Sequence, residues 1–278
     1  MDDRGSRIRS ARDDRGGTRP RTLDRIIIHM TTRPTIHVRA TTHVGMVRTI
    51  NQDCLHVAGW SSSLSGTQIA MPVPPRSVVA VIDGMGGQPG GDCASWTASR
   101  ALGDARLERS ATATDIGAKI QWVSDVVRTV GQSTQGYSRM GATIAGVAFT
   151  DAGMILFNVG DCSILQIDRT GVSQLAEIDR IGAHSVGQCL GGTEKPTAID
   201  AHPIVFQPRE REQLLLSTDG LTDCLTLDQI GQIIAGEIGS DPLSELVRAA
   251  CAAGAPDNIS LALVTVAYVP SDSSRTDD

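Results

Sequence analysis

Four aspartates carry the chemistry most readily open to this chain. They are Asp53, closing the run Arg48-Thr49-Ile50-Asn51-Gln52-Asp53; Asp83 in Val81-Ile82-Asp83-Gly84-Met85-Gly86-Gly87; Asp219 in Ser217-Thr218-Asp219-Gly220-Leu221; and Asp257 in Pro256-Asp257-Asn258. Each stands at the edge of an apolar, strand-like run, beside turn residues. A carboxylate placed there is anchored by a buried strand, and a following glycine lets the backbone bend closely around a ligand. Hard oxygen ligands with no partnering His or Cys select Mg²⁺ or Mn²⁺ over zinc. One Asp-Gly pair alone is also an ordinary turn. The constellation is what points to cations.

These side chains need elements to hold them. Residues 36–44 alternate like a strand, and 77–82 form a short β-branched run that stops at Asp83-Gly84. Residues 91–109 and 113–130 read as successive amphipathic helices, the second with apolar positions at Ile116, Ile120, Val123 and Val127. Strand patterns follow at 143–149, 154–159 and 163–167, separated by turn residues. Later strands are predicted at 198–206, 213–217 and 259–266, with helices at 227–235 and 242–253 between the last two. Strand-rich segments with paired helices predict an α+β layered architecture.

Composition limits the alternatives. Of 278 residues 40% are hydrophobic but only 3% aromatic, so the core must be built from Ala, Val, Ile and Leu. No apolar run approaches the roughly 20 residues of a membrane span, and Met1-Asp2-Asp3-Arg4 lacks the apolar stretch of a secretory signal. A cytoplasmic protein is expected, and its six scattered cysteines are expected as reduced, mostly buried thiols. The first 33 residues carry a balance of +4 and the remainder −10. An acidic body argues against nucleic-acid binding and suits a protein that gathers carboxylates for cations. Residues 1–34 are expected as an Arg-rich disordered tail, 35–269 as one domain, and 270–278 as a second tail.

The same motifs, in order, resemble the PPM or protein phosphatase 2C-type metal-dependent serine/threonine phosphatases in their compact bacterial form. Six collinear segments carry the resemblance: 48–53, 81–87, Gly141-Ala142-Thr143, Asn158-Val159-Gly160-Asp161, 216–223 and Asp257-Asn258. The resemblance implies a central β-sandwich of two antiparallel sheets flanked by helices, a four-layer αββα arrangement with a two-metal centre at one end. It implies that Asp83 bridges two Mn²⁺ or Mg²⁺ ions, that the Gly84 carbonyl binds one, and that Asp53, Asp219 and Asp257 complete the second. Arg48 matches the family's phosphate-binding arginine, whose fork meets two phosphate oxygens at once. Asn258 is expected to orient the site and Asp161 to brace neighbouring backbone. Two cations ~3.5–4 Å apart would lower the pKa of a shared water and neutralise the phosphoryl oxygens, with no phosphoenzyme.

Departures from the family pattern shape further expectations. Ser138 stands where an aspartate would serve a third metal, so a tightly held third ion is not expected. Gly160-Asp161-Cys162-Ser163 lacks the family's arginine, and the short stretch before Ser185 leaves little room for a flap, predicting a more open site. His43, His56 and His184 are possible general acids. The expected partners are phosphoproteins and a serine/threonine kinase; a sigma-factor antagonist is one possible client, and a monomer is expected. The alternative is a pseudophosphatase that binds phosphopeptides as a regulatory module.

Overall fold

A computed structural model describes residues 34–85, 90–182, 185–236 and 241–268. His184, and the two tails apart from Pro34, lie outside them. The chain runs β1 (Thr35–His43), β2 (Asp53–Val57), β3 (Trp60–Ser62), β4 (Gln68–Val73), β5 (Ser77–Gly84), α1 (Gly91–Ala105) and α2 (Ala113–Ser133). It continues with β6 (Gly141–Thr150), β7 (Gly153–Val159), β8 (Ser163–Asp168), β9 (Gly171–Gln174), β10 (Leu190–Gly191), β11 (Ile204–Phe206) and β12 (Arg211–Ser217). Last come α3 (Asp219–Thr222), α4 (Leu227–Ile234), α5 (Pro242–Ala252) and β13 (Ile259–Ala267).

The strands form two antiparallel sheets. One has the order β4-β1-β13-β12-β8-β9, the other β11-β7-β6-β5-β2-β3 with β10 beside β6. Strand alternation sorts side chains between faces. Val38, Val79, Val81, Val147, Leu214 and Val264 fill the layer between the sheets. Ile82, Ile144 and Phe157 face α1 and α2, whose Leu102, Ile116, Ile120, Val123 and Val127 complete a second apolar layer. Leu215, Leu261 and Leu263 meet Ile230, Leu243 and Leu246 of α4 and α5 in a third. Three apolar layers between four structural ones is the αββα sandwich expected from the motifs. All six cysteines are free thiols, and no helix among the described residues is long and apolar enough to cross a membrane.

Element boundaries differ where local chemistry intervenes. The first predicted helix ends at Ala105, because Arg106 turns left-handed (φ 54°) and a single 3₁₀ turn, Leu107–Arg109, follows. Helix α2 starts on a capping box, with Thr112 and Asp115 each bonding the other's backbone. The strand expected at 198–206 survives only as β11. Asp200 accepts from the His202 N–H (2.9 Å) and His202 has φ 41°, which bends the chain out of the sheet. β2 went unread as a strand because all five residues are buried, so nothing alternates.

Candidate metal centre

Antiparallel register carries the acidic residues to one end of the sandwich. Asp53 opens β2 and pairs with Asp83 in β5, which pairs on its other side with Thr143 of β6. In the other sheet, Ser217 at the end of β12 pairs with Ser163 at the start of β8 and with Leu261 near the start of β13. Asp219 follows β12, Asp161 precedes β8 and Asp257 precedes β13, so all three stand at this end.

Here the inward-facing rows turn polar. Asp53, Asp83 and Thr143 continue the rows of Leu55, Val81 and Ala145; Thr42 and Ser260 continue those of Ala40 and Ala262 on the facing sheet. Hydroxyls tie this layer together. Ser260 Oγ donates to Thr42 Oγ1 (2.7 Å). Thr218 Oγ1 accepts from the Ser260 N–H (2.9 Å) and donates to Asp53 Oδ2 (2.9 Å), linking the sheets.

Above that layer lie more carboxylates than the protein itself can satisfy. Asp53 is fully buried, and among the described residues its Oδ1 has no partner; Asp219 Oδ1 is also buried and unpartnered among them. Oxygens of Asp83, Asp161 and Asp219 all lie within 4.8 Å of one another. Burial pushes the Asp53 carboxyl up to about 7 against the hydroxyls of Ser260 and Thr218, with the charges of Asp219 and Asp257 adding to the rise. Burial, then Asp83, Asp161, Asp223 and Asp257, pushes Asp219 up to about 9. Asp83 is driven well up by burial and by Asp53, Asp257 and Asp161. Mutual repulsion in a dry site is what raises them.

Arg48, Asp83, Met85, Asp161, Asp219 and Asp257 help line a cavity of about 960 Å³. Arg48 Nη2 donates to Asp257 Oδ2 at 2.8 Å, so this ion pair belongs to the site rather than to an outer surface. Asn258 organises the approach. Its Oδ1 accepts from the Gln52 N–H (2.8 Å), and its Nδ2 donates to the carbonyls of Val44 (2.8 Å) and Ile50 (3.1 Å). One side chain thereby fixes both ends of the loop that carries Arg48.

Asp161 stands in the acidic cluster, and its carboxylate accepts from Arg180 Nη2 (3.3 Å). Gly84 and Gly220 sit where neighbouring backbone approaches closely. A Cβ on Gly84 would come within 2.0 Å of the Gly91 carbonyl, and one on Gly220 within 2.0 Å of that of Asn258. The Gly84 carbonyl stands beside Gly91 at the start of α1. Residues on both sides of the short stretch before Ser185 reach the site. Arg180, Ser185, Val186, Gly187 and Gln188 line it, with the Gly187 N–H donating to the Asp179 carbonyl (2.6 Å).

Arg180 is the residue that sequence reasoning missed. Its guanidinium reaches Asp219 Oδ2 (3.3 Å) and Asp223 Oδ1 (2.8 Å) besides Asp161, restoring near the cluster a cationic side chain lacking after Asp161. These contacts span 19 to 43 residues, and no local pattern announces them. His56 is buried, bonded to Ser99 Oγ (3.1 Å), and pushed down to about 4 by burial. Among the described residues no histidine lines the cavity.

Comparison with known proteins decides the family. The protein phosphatase 2C family model matches residues 50–256, most of the chain. The chain belongs to the protein phosphatase 2C family. It is 28% identical over 214 residues to a serine/threonine phosphatase, stp, of Listeria welshimeri, covering 68% of this chain and 84% of that one. It is 27% identical over 252 residues to the protein phosphatase PhpP of Streptococcus pneumoniae, covering 81% and 95%. The solved catalytic domain of the serine/threonine protein phosphatase PstP, in complex with two manganese ions, shares the fold with a TM-score of 0.67 at 21% identity, over 84% of this chain and 99% of that one.

Do the residues of this phosphatase 2C chain fit a metal? The donor set is all oxygen, drawn from five aspartates, and two buried carboxylate oxygens have no protein partner. Buried carboxylates left unpaired are costly, and divalent cations satisfy them. The site fits Mg²⁺ or Mn²⁺.

Proposed function

We propose that this chain hydrolyses phosphoserine and phosphothreonine monoesters of proteins in the cytoplasm, opposing a serine/threonine kinase, with two Mn²⁺ or Mg²⁺ ions. The observation that carries the reading is the convergence of five aspartates from both sheets, with Arg48 beside Asp257, at a cavity wide enough for a phosphorylated side chain. Asp83, which neighbours Asp53 on its own sheet and Asp219 and Asp161 from the other, would be central to holding the ions. Asp53, Asp219 and Asp257 complete the set, and Asp161 offers a further oxygen. When bound, such cations neutralise phosphoryl charge and make a water acidic enough to attack at neutral pH.

The chain's own side chains supply the rest. Arg48 presents a planar fork to two phosphate oxygens, held from behind by Asp257. That contact orients the ester for in-line displacement. Two features support two ions rather than three. Ser138 is exposed in the loop after α2, and its neighbour Arg139 lines the cavity, placing positive charge on the wall.

Phosphate release from a phosphothreonine peptide tests this directly. Turnover is expected with Mn²⁺ and is lost when excess chelator is added. Hydrolysis indifferent to chelator contradicts the reading.

A further inference from the structure

We infer that the apolar side chains displayed around Arg48 form a docking strip for the peptide that carries the phosphate, so that the chain favours phosphosites flanked by large apolar residues. This rests on the phosphatase reading above and names its substrate class. Among the described residues the five most exposed large hydrophobic side chains are Leu64 (74%), Ile181 (69%), Val47 (68%), Met46 (62%) and Ile50 (60%). They are not scattered. Met46, Val47 and Ile50 belong to the loop that carries Arg48.

Leu64 sits on the neighbouring turn, which is bonded to that loop's two ends. Ser65 Oγ accepts from the Val44 N–H (3.0 Å), and the Ser63 carbonyl accepts from Asn51 Nδ2 (3.0 Å). Ile181 adjoins Arg180 in the chain and lies against Gly187 of the cavity wall. Exposed apolar area gathered at the rim of a functional cavity marks an interaction surface.

The loop is also held still. Asn258 ties both ends, and the Met46 N–H donates to the Ala255 carbonyl (2.9 Å). A display fixed before binding loses little entropy when a ligand settles on it. A peptide whose phosphate meets Arg48 places its neighbouring residues within about 7 Å, two residues of extended chain. Met46, Val47 and Ile50 lie within two residues of Arg48, which lines the cavity, and are exposed. The body of the chain carries −10, which disfavours acidic flanks.

The experiment compares kcat/KM of the full chain for two phosphothreonine peptides of equal length, one flanked by Leu and Met, the other by Glu and Ser. p-Nitrophenyl phosphate serves as the reference substrate that has no flanks. Wild type is expected to prefer the apolar peptide by about tenfold, the scale of burying one large side chain. The double variant Met46→Ser/Ile50→Ser, and separately Ile181→Ser, lose most of that preference relative to the reference substrate. Equal ranking of the peptides by a wild type that turns over p-nitrophenyl phosphate overturns the strip alone, as does a preference that survives in the double variant. Failure to hydrolyse any of the three substrates with Mn²⁺ overturns the phosphatase reading and the strip with it. A wild-type dimer in sedimentation velocity that the double variant dissociates assigns the patch to a second copy and overturns the proposal.

Discussion

Asp219 and Asp53 illustrate how burial sets the character of a carboxylate before any cation arrives. In the metal-free protein their carboxyls hold protons to about 9 and about 7, whereas in the unfolded chain both titrate near 4. The folded state therefore binds more protons between those values, and stability falls as pH rises through that window. Protein in chelator is expected to melt lower at pH 8 than at pH 6, and added Mn²⁺ to raise the melting temperature more at pH 8. A melting temperature that is flat or rising across this range contradicts the assignment. Asp219→Asn removes the charge that disfavours folding, so the chelated variant should melt above wild type at pH 8. With Mn²⁺, its phosphatase activity should drop by at least about 10³-fold. Asp83, Asp219 and Asp257 were legible because each stands between an apolar strand and turn residues, whereas Asp53 was legible only through its motif. Arg180 was not, because its role arises from three contacts made only after the chain has folded.

At the scale of elements, the site depends on how short segments are clamped. Asn258, buried just before β13, holds the Arg48 loop through three hydrogen bonds. Asn258→Ala leaves one N–H and two carbonyls without these partners, for an expected loss of roughly 2–3 kcal/mol in chemical denaturation. KM for a phosphopeptide should rise more than kcat falls, since Arg48 keeps its chemistry but loses its fixed position. An unchanged KM would show that the loop is held by other means. Helix α2 was readable from its period alone, and its apolar stripe is buried as expected. The strand β2 was not, although it carries Asp53: five residues buried on both faces show no alternation. The glycine motifs were readable as motifs, but the close backbone approach they allow was not: their missing side chains admit a helix start and a neighbouring carbonyl.

Taken whole, the molecule is a sandwich whose interior changes character along its length. Valine and leucine fill the middle, a layer of hydroxyls follows, and carboxylates from both sheets crown one end. That gradient explains why residues up to 204 apart in sequence, Asp53 and Asp257, act on one another's charge. The four-layer architecture could be anticipated because six ordered motifs carry the family resemblance that implies it. The wall built by Arg180 and residues 185–188 could not, since its stretch is short and lacks periodicity. In the proposed function these carboxylates jointly hold two cations. Anomalous diffraction at the manganese edge from crystals grown with Mn²⁺ tests it most directly. Two peaks are predicted, both within about 2.0–2.6 Å of an Asp83 oxygen, with Asp219 on at least one of them. Peaks absent from this end of the sandwich, or bound without Asp83, would contradict the account.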